Sequence, residues 1–311
     1  MDKKQLIDCH NRIKPHIHNT PVITSSLINS ITGADIYFKC DNFQKMGAFK
    51  MRGATNAILQ LHDSQKSKGV VTHSSGNFAQ ALSLAAKSIG VKAYIIMPST
   101  ATEIKKIAVK GYGGILIECE PNLRAREKAA QKIVETKGAT FIHPSNDDQV
   151  ILGQGTACKE LIEKYNNLDY ILAPVGGGGL IAGSALAAKY FGQNCKVIGA
   201  EPYEVDDAYR SIISGKIETN KTTNTIADGL KTQLGDKNFP IIKKEVHSII
   251  RITEKEIIES MKIIWERLKI VCEPSCSLPL AAVIKNNTFF KGKKVGIIIS
   301  GGNVDLKNLP F

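Results

Sequence analysis

Apolar residues are concentrated in short continuous runs, and stretches of helical periodicity separate these runs. Eight runs rich in Ile and Val have the length of β-strands: residues 36–40, 69–73, 92–98, 114–118, 170–174, 196–201, 248–253 and 294–300. Short segments that are apolar throughout are typical of parallel strands, because such strands are buried on both faces. The pattern therefore predicts an α/β protein with two open, twisted and mainly parallel sheets flanked by helices.

Seven helices are predicted between these strands, at residues 78–89, 101–110, 123–137, 149–165, 179–191, 254–269 and 277–287. Thr253 and Glu256 form a capping box at the start of the sixth helix. The strand–helix units between Gly69 and Phe141 are expected to form a small domain of residues 68–146. Residues 1–67 and 147–311 then form a larger domain with its own sheet.

Composition excludes several classes of protein. The 311 residues are 43% hydrophobic and 23% charged, which is typical of a globular chain. The net charge of +12 is spread along the sequence, which favours a solvated basic surface. Steering of anionic substrates is the next interpretation, and nucleic-acid binding is the least favoured. The first residues lack the apolar segment of a signal peptide.

Two further patterns bear on location. Residues 170–188 are uncharged and long enough to cross a membrane, but Pro174 and four glycines would leave backbone groups unsatisfied in lipid. We therefore expect no membrane association. Seven scattered cysteines without a CxxC pair predict reduced thiols in a cytoplasmic protein.

Candidate chemistry lies where predicted strands end. The four glycines Gly176, Gly177, Gly178 and Gly179 follow one strand and open a helix. Their backbone N–H groups and the helix dipole suit a phosphate, although a flexible turn is the simpler alternative. The same segment fits a dinucleotide fingerprint, with Glu201 about twenty residues further on. A nicotinamide-dependent enzyme is therefore a second interpretation of this segment.

Lys50 and the segment from Ser74 to Asn77 are further candidates. Lys50 lies between small residues and Phe49 at the start of a predicted helix. It is either a surface lysine or a buried amine able to form a Schiff base. Ser74, Ser75, Gly76 and Asn77 lead from a strand into a helix, where they either cap the helix or bind a carboxylate.

Two other polar segments follow predicted strands. Glu201, Asp207 and the main-chain carbonyl of Val205 could hold a hard cation through oxygen ligands, or they could form a solvated acidic loop. Ser300 ends a buried strand and is followed by Gly301 and Gly302. Either it faces the same crevice as the glycine run, since the carboxyl ends of parallel strands meet at one edge, or Ser-Gly-Gly only forms a turn.

Five motifs occur in order along the chain: AFKMRGA, HSSGN, PVGGGGL, GAEP followed by DD, and SGGN. Together they resemble the pyridoxal-phosphate-dependent serine/threonine dehydratases, and most closely the eukaryotic-type serine racemases. The resemblance extends over nearly the whole chain, from Thr20 to Asp305. It removes the nicotinamide interpretation, because a dinucleotide fold gives no role to Lys50 or to the Ser75-Gly76-Asn77 segment.

The resemblance implies a fold of the tryptophan-synthase-β type, with pyridoxal 5′-phosphate in the cleft between a large and a small domain. Lys50 would carry the cofactor as a Schiff base and act as the catalytic base, and Ser75 would be the second catalytic residue in racemisation. The other implied contacts are Phe49 beside the cofactor ring, Asn77 at its 3′-oxygen, Gly176, Gly177, Gly178 and Gly179 at its phosphate, Ser300 at its pyridine nitrogen, Ser74, Ser75, Gly76 and Asn77 at the substrate carboxylate, and Glu201, Val205 and Asp207 at Mg²⁺ or Ca²⁺.

The implied reaction is elimination of water from L-serine or L-threonine to give a 2-oxo acid and ammonia, with serine racemase activity. A homodimer is expected. Part of the family's nucleotide-activator site is matched by Ser25, Ser26, Lys45, Tyr112 and Asn303, while Met46 replaces the usual threonine.

Phe78 stands where the family usually has histidine, and residues 276–280 also depart from its pattern, so threo-3-hydroxyaspartate is an alternative substrate. β-Replacement is disfavoured, because its different lysine motif and its Gly-Thr-Gly-Gly-Thr phosphate loop are absent. A non-catalytic cofactor carrier or a basic nucleic-acid-binding protein is the alternative from another class.

Overall fold

Ten strands form two sheets in the computed structural model, which describes residues 1–311. Spatial order in the larger sheet is β1 (Val22–Ile23), β2 (Asp35–Cys40), β10 (Lys294–Ile299), β7 (Tyr170–Pro174), β8 (Lys196–Pro202) and β9 (Val246–Ile252). Spatial order in the smaller sheet is β5 (Ile115–Cys119), β4 (Ala93–Pro98), β3 (Val70–His73) and β6 (Thr140–Phe141). All neighbours are parallel except β1 and β2. The predicted α/β class with mainly parallel sheets is confirmed.

Fourteen helices connect and cover the strands. They are α1 (Lys3–Ile13), α2 (Ser26–Thr32), α3 (Lys50–Leu59), α4 (Asp63–Lys66), α5 (Asn77–Ile89), α6 (Glu103–Gly111), α7 (Leu123–Lys137), α8 (Asp148–Lys164), α9 (Gly179–Phe191), α10 (Asp207–Ser214), α11 (Phe239–Glu245), α12 (Glu254–Leu268), α13 (Pro274–Lys285) and α14 (Asn287–Phe290). No helix is both long enough and apolar enough to span a lipid bilayer.

Both faces of the larger sheet are buried, as the continuous apolar strands predicted. Along β7, Ile171 and Ala173 pack into a core shared with α1, α3, α8, α9 and α11. Leu172, between them, packs into a second core shared with α2, α12, α13 and α14. Successive side chains of a strand point to opposite faces, so one strand contributes to both cores.

All eight predicted strands and all seven predicted helices are present, with shifts of up to three residues at their ends. The largest shift is at α13, which begins at Pro274 because proline is well suited to the first turn of a helix. The capping box of Thr253 and Glu256 is confirmed. The pattern missed β1 and β6, which have two residues each, and several helices including α1.

The two sheets divide the chain much as the sequence suggested. Strands β3 to β6 lie between residues 70 and 141 and form the smaller sheet, while the other six strands form the larger one. The domain boundaries at 67/68 and 146/147 stay a prediction. For function, the important feature is that Ser74, Val175 and Ser300 directly follow the carboxyl ends of β3, β7 and β10.

Candidate active site

One cavity of about 590 Å³ is lined by residues that follow these strand ends and by the start of α3. Its volume lies within the range of small-molecule sites, roughly 300–1,000 Å³. The predicted cofactor and substrate residues that line it are Phe49, Lys50, Ser74, Ser75, Gly76, Asn77, Gly176, Gly177, Gly178, Gly179 and Ser300. The predicted metal ligands Glu201, Val205 and Asp207 are not part of this lining.

Lys50 is the first residue of α3 and is half-buried in the cavity wall. Its Nζ atom donates a hydrogen bond to the carbonyl of Pro144 at 2.8 Å. The same atom lies 5.0 Å from the ring centroid of Phe49 and 5.7 Å from that of Phe78. Burial lowers the pKa of Lys50 to about 8, against the opposing effect of the Glu273 charge. A minor neutral fraction is then present near neutral pH, larger than for an ordinary lysine, and this neutral amine can act as a nucleophile and base.

A buried ion network lies under the first turn of α3. The Arg52 Nε atom is 2.6 Å from Asp41 Oδ2, and its Nη1 atom is 2.8 Å from Glu160 Oε1. Lys39 pairs with the other oxygen of Glu160 at 2.6 Å. Two cations and two carboxylates balance each other, which is the condition for burying charge. The network fixes the backbone from which Lys50 extends.

The glycine run packs closely against neighbouring segments. A Cβ atom on Gly176 would lie 2.8 Å from the Leu230 Cα atom, and one on Gly177 would lie 2.4 Å from Ser145 Oγ. Gly178 has a φ of 80°, in the left-handed region that favours glycine. Helix α9 begins immediately afterwards, so free backbone N–H groups are present where the run lines the cavity. This cradle suits an anion such as a phosphate.

The segment from Ser74 to Asn77 forms a second helix start in the cavity. Asn77 is the first residue of the 13-residue helix α5. The Ser74 Oγ atom accepts a bond from the Gly76 backbone N–H at 3.4 Å. A side chain on Gly76 would meet no atom within 4 Å, so the space beside it is open. Free N–H groups beside open space suit a substrate carboxylate.

Glu273 was not predicted as a site residue, yet it lines the cavity beside Asn77. Both oxygens of its carboxylate accept from Asn77 Nδ2, at 3.0 and 3.1 Å. Asn77 Oδ1 in turn accepts from Asn303 Nδ2 at 2.8 Å. Burial raises the pKa of Glu273 to about 7, and the charge of Asp228 adds to the effect.

The turn after β6 was also missed. The His143 Nδ1 atom accepts from the backbone N–H groups of Ser145 and Asn146, at 3.2 and 2.8 Å. The ring proton is therefore on Nε2, and protonating Nδ1 would break both bonds. Burial, aided by the charges of His73 and Lys50, lowers the pKa of His143 to about 4. His143 is thus a neutral donor in the cavity wall.

The acidic loop lies apart from the cavity. The Glu201 carboxylate accepts from the backbone N–H groups of Ala208 and Tyr209 in the first turn of α10, at 2.9 and 2.8 Å. Asp207 Oδ2 accepts from the Leu234 N–H at 2.9 Å, whereas the buried Oδ1 atom has no partner. Burial raises the pKa of both carboxyls, that of Asp207 to about 6. No group of three or more His, Cys, Asp or Glu side chains is placed to hold a metal.

Comparison with known proteins identifies the family. The profile of the family described as pyridoxal-phosphate dependent enzymes matches residues 13–301. The chain belongs to this family. Among curated relatives, a serine racemase of Dictyostelium discoideum is 50% identical over 312 aligned residues, covering 98% of this chain and 96% of the relative. A β-hydroxyaspartate dehydratase of Paracoccus denitrificans is 48% identical over 308 residues, covering 99% and 98%.

Solved structures agree with this membership. The Dictyostelium discoideum serine racemase superposes with a TM-score of 0.94 at 50% identity, covering 98% of this chain and 99% of that one. A T.th. threonine deaminase superposes with a TM-score of 0.93 at 37% identity, covering 98% and 99%. The predicted fold and the predicted pyridoxal-phosphate family are both confirmed.

The cavity fits the cofactor of a pyridoxal-phosphate enzyme. The glycine run packs too closely on its neighbours to carry side chains, so its free backbone N–H groups are available for the phosphate, and a lysine with a lowered pKa is available for the aldehyde. Ser300 is buried in the same cavity, and its carbonyl accepts from the Phe49 N–H at 2.9 Å.

Proposed function

We propose that this pyridoxal-phosphate enzyme eliminates water from L-serine or L-threonine, giving a 2-oxo acid and ammonia, and also interconverts the enantiomers of serine. The observation that carries the proposal is the position of Lys50 and the Ser74–Asn77 segment in one cavity. Similarity to a serine racemase and a threonine deaminase supports the same reaction classes.

The residues have separate tasks in this scheme. The bound cofactor supplies an electron sink for the substrate α-carbon. The glycine run and the start of α9 hold its phosphate, and Asn77 and Ser300 hold its ring. The helix start at Ser74–Asn77 binds the substrate carboxylate. The Lys50 amine, partly neutral near pH 7, takes the α-proton.

Racemisation requires a proton donor on the face opposite Lys50, and we assign this role to Ser75. Ser75→Ala should lower the formation and consumption of D-serine by about 10²–10⁴-fold while L-serine elimination persists. Ser74→Ala is the matched control, since weaker carboxylate binding should reduce all activities together. The assay scores 2-oxo acid and D-amino acid separately from L-serine, L-threonine and threo-3-hydroxyaspartate. Release of neither product from any of them would overturn the proposed function.

Hydroxyaspartate is a second candidate substrate, and Arg126 favours it. Arg126 lines the cavity together with His143, and a guanidinium matches a second carboxylate. The 48% identity to a β-hydroxyaspartate dehydratase points the same way. Arg126→Gln should lower kcat/KM for threo-3-hydroxyaspartate at least about tenfold more than for L-serine. Arg124→Gln, on the exposed side of α7, is the control. Equal losses for both substrates would remove this candidate.

A divalent cation, Mg²⁺ or Ca²⁺, is proposed to stabilise the acidic loop through Glu201, Asp207 and the Val205 carbonyl. Two buried carboxylates without a bonded cation, one with an unpartnered oxygen, support the proposal. Chelation should lower the thermal midpoint, and Mg²⁺ or Ca²⁺ should restore it. Glu201→Gln should abolish this response, whereas Glu204→Gln, an exposed neighbour, should keep it. A metal-depleted wild type that is indifferent to both ions would contradict the site.

A homodimer is also proposed. Leu27 and Ile31 of α2 and Leu306 near the carboxyl end are exposed apolar side chains that a partner subunit could cover. Light scattering measures the mass directly. Nucleotide activation through Ser25, Ser26, Lys45, Tyr112 and Asn303 stays a prediction, as does the cytoplasmic location that the seven free cysteines favour.

A further inference from the structure

The Asn77 amide is held on both sides. Its nitrogen donates to the two oxygens of Glu273 at 3.0 and 3.1 Å, and its oxygen accepts from Asn303 Nδ2 at 2.8 Å. Asn303 Nδ2 also donates to the Met46 carbonyl at 2.9 Å, which fixes the Asn303 amide in turn. When it is ionised, the Glu273 carboxylate can only accept hydrogen bonds, and in that state it requires the Asn77 NH₂ group to face it.

Glu273 is an unusual buried carboxylate, because no cationic side chain forms a salt bridge with it. It is 3% exposed, and its only side-chain donor is Asn77. The charged and titratable groups that act on it or feel it are Lys50 from α3, Lys105 from α6, Asp228 from the turn before Leu230, and the Cys276 thiol from α13. An unpaired buried charge is costly, so a neutral residue of the same shape would fold at least as well. Stability therefore does not explain why residue 273 is a glutamate, and we look for the reason in what its carboxylate does in the cavity.

We propose that Glu273 is a positioning residue for the bound cofactor, fixing the orientation of the Asn77 amide and electrostatically favouring the protonated form of the nitrogen at Lys50. The inference rests on the proposed contact between Asn77 and the cofactor. The two Glu273 oxygens can share one N–H of the amide. The other N–H is then left for the oxygen substituent of the cofactor ring.

A double-mutant cycle tests the positioning role. Glu273→Gln, Asn77→Ala and the double variant are compared by titrating the apoproteins with pyridoxal phosphate. Glu273→Gln should weaken binding about tenfold, the size expected for one hydrogen bond to a charged group. In the Asn77→Ala background the same change should have no further effect, because Glu273 acts through Asn77.

The electrostatic role has its own readout, the pH midpoint of the absorption of the lysine-bound cofactor. Glu273→Gln should move the midpoint to lower pH, since removing a negative charge disfavours the protonated nitrogen. Glu273→Asp keeps the charge and should shift the midpoint less. Glu127→Gln is the matched control, because this exposed carboxylate lines the same cavity but does not bond to Asn77.

Folded variants with unchanged affinity and an unchanged midpoint would overturn the inference and leave the proposed function standing. Equal losses of affinity in both backgrounds would also overturn it, since a merely structural role predicts additivity. A wild-type protein that binds no pyridoxal phosphate would overturn the proposed function first. Thermal unfolding of each apoprotein identifies any variant that has lost the fold. If Glu273→Gln is such a variant, Glu273→Asp takes its place in the cycle.

Discussion

Buried charges are paired in salt bridges below the first turn of α3 and are unpaired in the cavity above it. Below the turn, Arg52 is bonded to Asp41 and Glu160, and Lys39 completes a balanced set. Burial alone would lower the pKa of Arg52 and raise that of Glu160, but their bonded partners more than reverse both shifts. In the cavity, Lys50 and Glu273 form no salt bridge, and burial brings their pKa values to about 8 and about 7.

The difference separates charges that stay fixed near neutral pH from groups whose pKa values allow them to exchange protons there. Full pairing keeps a charge fixed at every physiological pH, which suits an anchor. Burial without a bonded counter-ion brings a pKa towards neutrality, where both protonation states are populated. Arg52 and Lys50, the amine proposed to bind the cofactor, are two residues apart in the first turn of α3.

Loss of Lys50 should have the largest effect. Lys50→Ala removes the amine proposed both to bind the cofactor and to accept the α-proton. Turnover should fall at least about 10³-fold, and the absorption of the lysine-bound cofactor should disappear. Lys66→Ala, on the surface helix α4, should leave both unchanged. Turnover of serine by Lys50→Ala at a near wild-type rate would refute the proposed mechanism.

Loss of Arg52 should lower the free energy of unfolding rather than the catalytic rate alone. Arg52→Met leaves Asp41 without its bonded cation and should lower the free energy of unfolding by about 3–5 kcal/mol. Arg251→Met breaks a half-buried pair with Asp206 and should lower it by no more than about 1 kcal/mol. Urea unfolding of both variants measures the contrast. Similar small losses in both would mean that the network under α3 contributes little to stability.

The sequence predicted the parts of this arrangement that are local. The long parallel strands, the glycine run and Lys50 at a helix start depend on neighbouring residues, and the structure has them where expected. Glu273 and Asn77 are 196 positions apart, so their hydrogen bonds exist only after the two sheets have formed. His143 was missed because β6 has two residues and leaves no periodic signal.

The unpaired Glu273 carboxyl should make the free energy of unfolding depend on pH near neutrality, unlike the fully paired carboxylates under α3. Its pKa is about 7 in the folded protein against an ordinary value of 4.5, so the folded state binds more protons between these values. Stability from this group is therefore present below pH 4.5 and is lost as pH rises through 7, by up to about 3 kcal/mol. In Glu273→Gln this loss should vanish. Unfolding free energies of the wild type and the variant between pH 4.5 and 8 measure the difference. Parallel curves would show that Glu273 titrates alike in the folded and unfolded chain, and that its burial does not perturb it.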